Sequence, residues 1–283
     1  MLRIAIQAKG RLNEESIGLL AEAGVSIEDS KRKLLARSDG FPLEVLYLRD
    51  DDIPQAVSMG VADLGVVGLN EVEEKGFDVE IVHRLGFGKR RLSLAVPKTE
   101  PYDGLSYFEG KRVATSYPVI LSRFFREKGI AAEIHEIAGS VEIAPSVGMA
   151  DAIFDIVSSG GTLVTNGLKE VEQVLFSEAV LIGGRALSDD KRQILSQLLF
   201  RIEAVERSRG LKYVLMNLPH AKIPEAVRIL PGMKSPTILP LAQEGWSSMH
   251  VVINERELWS KIEQLKAIGA EDILVLSLEK MIR

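Results

Sequence analysis

The segment from Asp155 to Leu163, Asp-Ile-Val-Ser-Ser-Gly-Gly-Thr-Leu, has a composition that could bind a phosphate. A strand is predicted over residues 153–156, and the next helical turn is predicted over residues 162–166, directly after the glycines. Free backbone N–H groups and the helix dipole favour an anion there, and glycine allows it to approach closely. An ordinary strand–turn–helix connection explains the spacing equally well. The candidate binding residues are Asp155, Ser158, Ser159, Gly160, Gly161, Thr162 and Leu163.

Two cations flank a glycine in Lys9-Gly10-Arg11, directly after a strand predicted over residues 4–8. In open α/β sheets, ligands bind beyond the carboxyl ends of the strands. Arginine offers a planar fork for bidentate phosphate contacts and lysine a compact charge, so this pair suits a polyphosphate. A solvated surface turn is the alternative interpretation.

A third set of candidates combines acids, glycines and one arginine. In Arg49-Asp-Asp-Asp-Ile-Pro54, clustered acids beside a cation could hold Mg²⁺ through water, whereas Asp52 could instead cap a helix ahead of the proline. In the segment Asp-Leu-Gly-Val-Val-Gly-Leu-Asn over residues 63–70, we interpret Gly65 and Gly68 as close approaches of the backbone to a planar ligand. The candidate residues of this set are Arg49, Asp63, Gly68, Leu69 and Asn70.

Two acidic residues could address a sugar near these loops. Asp155 suits a ribose diol, because a carboxylate can accept hydrogen bonds from two hydroxyls. Glu142 follows a strand predicted near residues 134–137 and is either a helix-capping acid or a substrate contact. Residues 112–117, ending at Tyr117, form another predicted connection from a strand to a helix.

Strand-like and helical runs alternate through the first two thirds of the chain, which predicts an α/β fold with mainly parallel sheets. The predicted strands are residues 4–8, 43–48, 63–67, 91–96, 112–115, 133–136, 153–156 and 179–182. The predicted helices are residues 13–23, 52–59, 70–75, 118–128, 141–147 and 189–207. We expect two α/β lobes with a ligand cleft between them: residues 1–88, rejoined by about 178–206, and residues 89–177.

The tail has a different order of elements. Strands are predicted at residues 212–218, 237–241, 248–253 and 273–278, with helices at 224–230 and 255–268. This βαββαβ order predicts a ferredoxin-like domain over residues 209–283, and such domains often serve as regulatory modules.

Composition excludes several classes of function. The chain has 283 residues, a formal net charge of −5 and no cysteine, so disulfides and cysteine-ligated zinc are excluded and a nucleic-acid partner is not expected. Its four histidines do not form a metal-binding pair with helical spacing. We find no signal peptide and no run of about 18 apolar residues, so we expect a soluble cytoplasmic protein without membrane contact.

Together these segments resemble the ATP phosphoribosyltransferase family, in order and at family spacing over nearly the whole chain. The matching stretches are residues 5–12, 49–54, 63–70, 111–118, 139–145, 151–168, 235–241 and 269–276. The resemblance implies a core of two lobes like those of periplasmic solute-binding proteins. It also implies a magnesium-dependent glycosyltransferase that joins N1 of ATP to C1 of phosphoribosyl pyrophosphate, giving phosphoribosyl-ATP and pyrophosphate in the first step of histidine biosynthesis.

The resemblance assigns roles to the candidate residues. Residues 158–162 would bind the 5′-phosphate of phosphoribosyl pyrophosphate, and Asp155 with Glu142 would address its ribose hydroxyls. Lys9, Arg11 and Arg49 would bind pyrophosphate or the phosphates of ATP, and residues 63–70 would line the nucleotide pocket. Mg²⁺ would be held mainly through substrate phosphates, and no residue is assigned to covalent or acid–base catalysis.

The tail implies the long form of the family, a homodimer that assembles into a homohexamer and needs no separate regulatory subunit. Histidine would inhibit by binding at contacts between tails. The candidate residues for this allosteric site are Asn217, Met233, Ser235, Thr237 and Asp272. Two other functions remain open from the sequence: a two-lobed solute-binding or sensor protein, and a phosphoribosyltransferase that acts on a free base.

Overall fold

A computed structural model describes residues 1–28 and 34–282; residues 29–33, in the first predicted lobe, and Arg283, the last residue of the predicted tail domain, lie outside it. The chain divides into two compact units, residues 1–21 with 25–195 and residues 22–24 with 196–283. The first unit contains two sheets, and the second contains one. Within the described residues, no helix has both the length and the apolar character needed to cross a membrane.

The first sheet is built around three parallel strands in the order β4-β1-β5. Its first six strands are β1 (Leu2–Gln7), β2 (Ser26–Ile27), β3 (Leu35–Asp39), β4 (Leu43–Leu48), β5 (Leu64–Gly68) and β6 (Glu80–Arg84). The helices between them are α1 (Arg11–Glu22), α2 (Ile53–Ser58) and α3 (Leu69–Lys75). Ile4, Ala5 and Ile6 of β1 are all buried. Burial on both faces explains why this strand is a continuous apolar run rather than an alternating one.

The second sheet has the order β11-β7-β10-β8-β9. Its strands are β7 (Arg90–Pro97), β8 (Arg112–Thr115), β9 (Glu133–Glu136), β10 (Ala152–Val157) and β11 (Leu168–Ser177). Its helices are α4 (Pro118–Lys128) and α5 (Gly161–Thr165). Strands β10, β8 and β9 are parallel to one another, whereas β7 pairs antiparallel with both β10 and β11. Phe108, Phe125 and Phe154 fill the core on one face of this sheet.

The chain then returns to the first sheet through β12 (Ala179–Gly183), which pairs antiparallel with β5 and β6. Both sheets are therefore mixed, and the prediction of mainly parallel sheets was wrong, because the interior strands β7 and β12 pair antiparallel with both of their neighbours. We call residues 85–89, which connect β6 to β7, the linking segment. It is held against the returning strand, because Leu85 N–H donates to Ala179 O at 3.0 Å and Ala179 N–H donates to Phe87 O at 2.9 Å.

Helix α6 (Asp189–Ser208) precedes a separate antiparallel sheet with the order β14-β15-β13-β16. Its elements are β13 (Leu211–Pro219), α7 (Ile223–Ile229), β14 (Thr237–Pro240), β15 (Trp246–Asn254), α8 (Glu255–Ala267) and β16 (Glu271–Ser277). Alternate residues such as Val214, Met216 and Met249 pack with Leu258 and Leu265 of α8 in one core. The predicted ferredoxin-like βαββαβ arrangement is confirmed.

Candidate active site

Three predicted segments meet at one edge of the first sheet. Because β4, β1 and β5 are parallel neighbours, their carboxyl ends lie side by side. Arg49 follows β4, residues 9–11 follow β1, and Gly68 with Leu69 and Asn70 ends β5 and begins α3. This is the edge at which open α/β sheets bind ligands.

The cations at this edge are accessible. Lys9 and Gly10 are exposed, and the Arg11 side chain is 74% exposed with Glu15 as its partner at 3.2 Å. The Arg49 side chain is 80% exposed and pairs with Asp51 at 3.1 Å. Exposed ion pairs of this kind contribute little free energy, so an anionic ligand can replace them.

Asp63 is not brought to this edge. It precedes β5 and so lies at the opposite end of that strand from Gly68. Its carboxylate accepts from the backbone N–H of Arg3 at 2.8 Å and from Lys191 Nζ at 2.6 Å. Both oxygens are thus engaged in holding the lobe together, so the assignment of Asp63 to a ligand was wrong.

The glycines of β5 are explained by packing within the protein. A Cβ at Gly65 would lie 2.5 Å from Ile53 Cγ2, and one at Gly68 would lie 2.4 Å from Asn70 Oδ1. Gly65 therefore makes room for α2 and not for a planar ligand. Asp52 likewise forms no capping hydrogen bond with its side chain at the start of α2, so that alternative is also corrected.

The second sheet presents its own group of candidates. Strands β10, β8 and β9 are parallel neighbours, so their carboxyl ends again share one edge. The loop of residues 158–162 follows β10, Tyr117 follows β8, and Glu142 lies in the connection after β9. The parallel order of these strands therefore brings the predicted phosphate loop to the same edge as Asp155 of β10 and Glu142, the two predicted sugar contacts.

The loop itself is open to solvent but fixed at both ends. Ser158, Ser159, Gly161 and Thr162 are exposed, whereas Leu163 is buried in the core behind them. Gly160 has φ +80°, which other residues rarely adopt. On the other side, Arg91 Nη1 donates to Ser158 O at 3.1 Å.

The arginine that holds this loop is itself fixed. Arg91 makes two hydrogen bonds to Glu170, with Nε–Oε1 at 2.5 Å and Nη2–Oε2 at 2.6 Å. Ser93 Oγ donates to the same carboxylate at 2.7 Å. The Arg91 guanidinium accordingly holds the pKa of Glu170 below its usual value. The predicted phosphate loop is thus supported by charge-assisted hydrogen bonds.

Asp155 and Glu142 lie close enough to influence each other. Burial raises the pKa of Asp155 to about 6, and the negative charge of Glu142 adds to that shift. Asp155 also accepts from the N–H of Ile156 at 2.7 Å, which opposes the shift. Glu142 lies in a short 3₁₀ turn, Val141–Ile143, instead of the helix predicted over residues 141–147, and the side chain before this turn makes no capping bond.

One pocket is lined by residues of both lobes, and we call it the cationic pocket. Its lining residues are Arg11, Gly88, Lys89, Arg90, Ile156 and Ser158. Arg11 belongs to the first lobe, and Gly88 and Lys89 belong to the linking segment. Arg90, Ile156 and Ser158 belong to the second lobe, where Ser158 is part of the predicted phosphate loop. The two strongest sequence candidates for phosphate binding, residues 9–11 and 158–162, therefore contribute to the same pocket.

A second pocket, which we call the tyrosine pocket, has Asp50, Asn70, Glu71, Arg90 and Tyr117 among its lining residues. Asn70 Nδ2 donates to Glu71 Oε1 at 2.9 Å and to Tyr117 Oη at 3.3 Å. Burial and the neighbouring carboxylates of Glu71, Asp155 and Asp50 raise the pKa of Tyr117. The tyrosine therefore keeps its proton as a hydrogen-bond donor.

Glu71 was missed in the sequence. Burial raises its pKa to about 7, and the charge of Asp50 contributes in the same direction. As the first acid of α3 it looked like an ordinary helix-start residue. The signal that could have identified it is its position next to Asn70, at the carboxyl end of a buried parallel strand.

The candidates for an effector site lie in the C-terminal domain. Asn217 Nδ2 donates to Asp272 Oδ2 at 3.3 Å, so the neutral amide has an acidic neighbour. Asp272 has φ +47°, a strained conformation for a residue with a side chain. Thr237 of β14 lies two strands from Asn217 of β13, on the exposed face of the same sheet. Met233 and Ser235 precede β14.

The chain is similar to three known proteins and matches two protein-family models. An ATP phosphoribosyltransferase of Bacteroides thetaiotaomicron is 61% identical over 282 residues and 100% of both chains, and that of Cytophaga hutchinsonii is 51% identical over 100% of this chain and 99% of its own. The family model described as ATP phosphoribosyltransferase matches residues 49–204, and that of the HisG C-terminal domain matches residues 208–280. A solved ATP phosphoribosyl transferase (HisG:HisZ) complex from Thermotoga maritima has a TM-score of 0.61 at 29% identity, covering 72% of this chain and 99% of that one.

The two α/β lobes by themselves define a class of fold. A histidine kinase sensor domain with similarity to periplasmic binding proteins matches with a TM-score of 0.50 at 9% identity, covering 74% of this chain and 91% of that one, which shows the fold alone. The predicted fold class of two such α/β lobes plus a ferredoxin-like domain is thus confirmed. The chain belongs to the ATP phosphoribosyltransferase family, the first enzymes of histidine biosynthesis, as its sequence indicated.

Proposed function

We propose that the chain transfers the phosphoribosyl group of phosphoribosyl pyrophosphate to N1 of ATP and releases pyrophosphate. The observation that carries this proposal is the cationic pocket, where Arg11 of one lobe and Ser158 of the other line the same space. Two anionic substrates require such a convergence of cations and hydroxyl or N–H donors. Family membership supports the same reaction.

The residues act by positioning and by charge. The bond from C1 of the ribose to pyrophosphate breaks while the bond from N1 of adenine to C1 forms, so catalysis needs alignment and stabilisation of the leaving group. Residues 158–162 bind the 5′-phosphate. Asp155 and Glu142 accept hydrogen bonds from the ribose hydroxyls, and Lys9, Arg11 and Arg49 bind the polyphosphates. Asn70 and Tyr117 line the tyrosine pocket, which receives the nucleotide.

We also propose that the reaction depends on Mg²⁺. Within the described residues no three histidine or acidic side chains are grouped so that they could hold a metal ion. A site with few protein ligands fits Mg²⁺, because proteins often bind this ion through one or two carboxylates together with substrate phosphates. Asp50 and Asp51 beside Arg49, and Asp155 near Glu142, are the carboxylates available for that role. The ion would neutralise charge on the departing pyrophosphate.

For regulation, we propose that histidine binds the C-terminal domain around Asn217 and Asp272 and inhibits the enzyme. The paired amide and carboxylate offer partners for the amino group of an amino acid. The Thermotoga neighbour is matched by 72% of this chain and is a complex with HisZ. Since this chain carries its own C-terminal domain, we propose that it works without a separate subunit, as a homodimer or homohexamer in the cytoplasm.

The decisive experiment is an assay with ATP, phosphoribosyl pyrophosphate and Mg²⁺, with pyrophosphatase added to pull the equilibrium. We expect absorbance from phosphoribosyl-ATP to rise and to be suppressed by histidine. No product under these conditions would contradict the proposal. Replacing ATP with adenine or orotate tests the alternative acceptor class, and turnover with either base would favour a phosphoribosyltransferase of free bases.

A further inference from the structure

Three consecutive cations, Lys89, Arg90 and Arg91, lie where the chain passes from the first lobe to the second. Their side chains differ in what they contact. Arg91 is committed to Glu170 and to the carbonyl of Ser158. Within residues 1–28 and 34–282, neither Lys89 nor Arg90 forms an ion pair. Both are exposed, and both line the cationic pocket.

Arg90 also lines the tyrosine pocket. Gly88 is likewise common to the two pockets. The two spaces therefore adjoin at the start of β7, and Arg90 is the cation at that junction. On one side it faces the space lined by Arg11 and Ser158, and on the other the space lined by Asn70 and Tyr117.

We propose that Arg90 is a substrate-binding residue whose guanidinium contacts polyphosphate oxygens where the two pockets adjoin, with Lys89 as a second cation. The inference rests on the proposed function, since it takes the two pockets to hold two polyphosphate substrates. In the reaction, N1 of adenine attacks C1 of the ribose while the bond from C1 to pyrophosphate breaks, so negative charge grows on the departing pyrophosphate. A cation at the junction contacts that group as its negative charge grows.

The position of Arg90 in the backbone favours this role. Arg90 is the first residue of β7 and pairs with Ser177 of β11, so its Cα is fixed by a sheet and not by a loop. Sites carried on strands are held more accurately than sites on loops. The planar fork of arginine can bind two phosphate oxygens at once, which a lysine cannot reproduce.

The same position relates binding to the arrangement of the lobes. An anion in the cationic pocket contacts Arg11 of the first lobe, Ser158 of the second and Lys89 of the linking segment together. Neutralising the positive charges of Arg11 and Lys89 removes their mutual repulsion. Polyphosphate binding therefore stabilises the two lobes in the arrangement that closes this pocket.

The experiment is an equilibrium titration of the full chain with inorganic pyrophosphate and Mg²⁺, followed by calorimetry. The variants are Arg90→Gln, Arg90→Lys and Lys89→Gln, and the matched control is Arg185→Gln, which removes one cation from an exposed pair with Asp78. We expect Arg90→Gln to weaken binding about tenfold or more, as for loss of a charged hydrogen bond, with partial recovery in Arg90→Lys. The control should bind as the unaltered protein does.

Steady-state KM values for both substrates provide the second measurement. Arg90→Gln should raise both, because the residue lies between the two pockets, whereas Lys89→Gln should raise mainly one. Pyrophosphate binding by Arg90→Gln equal to that of the unaltered protein, or no binding by the unaltered protein, overturns the inference. Formation of phosphoribosyl-ATP by the unaltered protein is scored separately, so the proposed function can survive when this inference fails.

Discussion

Asn70 and Ser177, 107 positions apart, exchange two hydrogen bonds: Ser177 Oγ accepts from Asn70 N–H at 3.1 Å and donates to Asn70 Oδ1 at 2.7 Å. Both residues are buried. The pair joins the carboxyl end of β5 to the last residue of β11, where the chain passes back into the first lobe. It also fixes the amide oxygen, so that Nδ2 is directed to Glu71 and Tyr117.

Replacing Ser177 with alanine should therefore affect both stability and substrate binding. The change leaves a buried amide without its partners, so we expect a loss of about 1–3 kcal/mol in the free energy of unfolding. Urea unfolding measures the loss, and Ser106→Ala, at an exposed site, is the control. We also expect a higher KM for ATP, because Asn70 loses its orientation. Unchanged stability would show that water replaces the hydroxyl.

A second tie between the lobes is Glu74 of α3, which is buried and accepts from the backbone N–H groups of Val119 and Ile120 at 2.9 and 3.0 Å. These are unpaired donors at the start of α4, so an acid there satisfies them and complements the helix dipole. Glu74→Ala should cost about 1–3 kcal/mol in urea unfolding.

Glu74→Gln is the informative comparison for that site, since it keeps one acceptor oxygen but loses the charge. We expect it to lie between the alanine variant and the unaltered protein. Glu73→Gln, which breaks a partly exposed pair with Arg123 at 2.8 Å, should cost less than either. A larger effect at Glu73 than at Glu74 would contradict the capping role.

The raised pKa of Glu71 predicts how stability depends on pH. Because its folded pKa of about 7 lies above its ordinary value of 4.5, the folded state binds more protons than the unfolded state between these limits. The stabilisation of protonated Glu71 is thus complete below the unfolded pKa and is lost as pH rises through 7. Its contribution to the slope is at most about 1.4 kcal/mol per pH unit.

Urea unfolding of the unaltered protein and Glu71→Gln between pH 5 and 8 tests this sign. The glutamine variant should gain stability relative to the unaltered protein as pH rises. Asp155 has a raised pKa as well, but it is present in both proteins, so the difference isolates Glu71. Parallel pH profiles would show that Glu71 is ionised in the fold.

Strands and helices whose apolar residues repeat at a regular interval were predictable from the sequence, whereas elements with an irregular repeat were not. Strands β4, β8 and β9 and helix α4 have the predicted bounds because each is a short buried or amphipathic run. Strand β11 was not predicted, although it has ten residues. Its register shifts between Glu170 and Glu172 and again between Gln173 and Leu175, so its apolar residues recur at intervals closer to those of a helix.

For the site, the sequence identified residues that follow parallel strands, because chain order and the edge rule together place them. It did not separate Asp63 from that group, although Asp63 begins the predicted strand, because the edge at which that end lies is set by the parallel pairing of β5 with β1. Nor could it distinguish Arg90 from Arg91. That difference arises from the partner Glu170, which is 79 positions from Arg91 in sequence and is brought close only by the pairing of β7 and β11.

The phosphate loop predicts a loss of activity without a loss of structure. Asp155→Ala and Thr162→Ala should each lower kcat/KM by about 10²-fold or more, because each removes a contact that aligns the ribose for attack at C1. Both should keep the circular dichroism of the unaltered protein. The controls are Asp103→Ala and Thr99→Ala, which are exposed and outside both pockets. Near-normal turnover in both loop variants would refute the assignment.

The C-terminal domain predicts that histidine inhibition can be separated from catalysis. Asp272→Ala removes the carboxylate beside Asn217, so we expect histidine to inhibit about tenfold more weakly, the value of one charged hydrogen bond, with kcat unchanged. The strained φ of +47° offers a matched comparison: Asp272→Asn keeps the shape and tolerates this conformation but loses the charge. If charge recognises the histidine amino group, both variants lose inhibition. Loss in the alanine variant alone would instead indicate that the strained turn shapes the site.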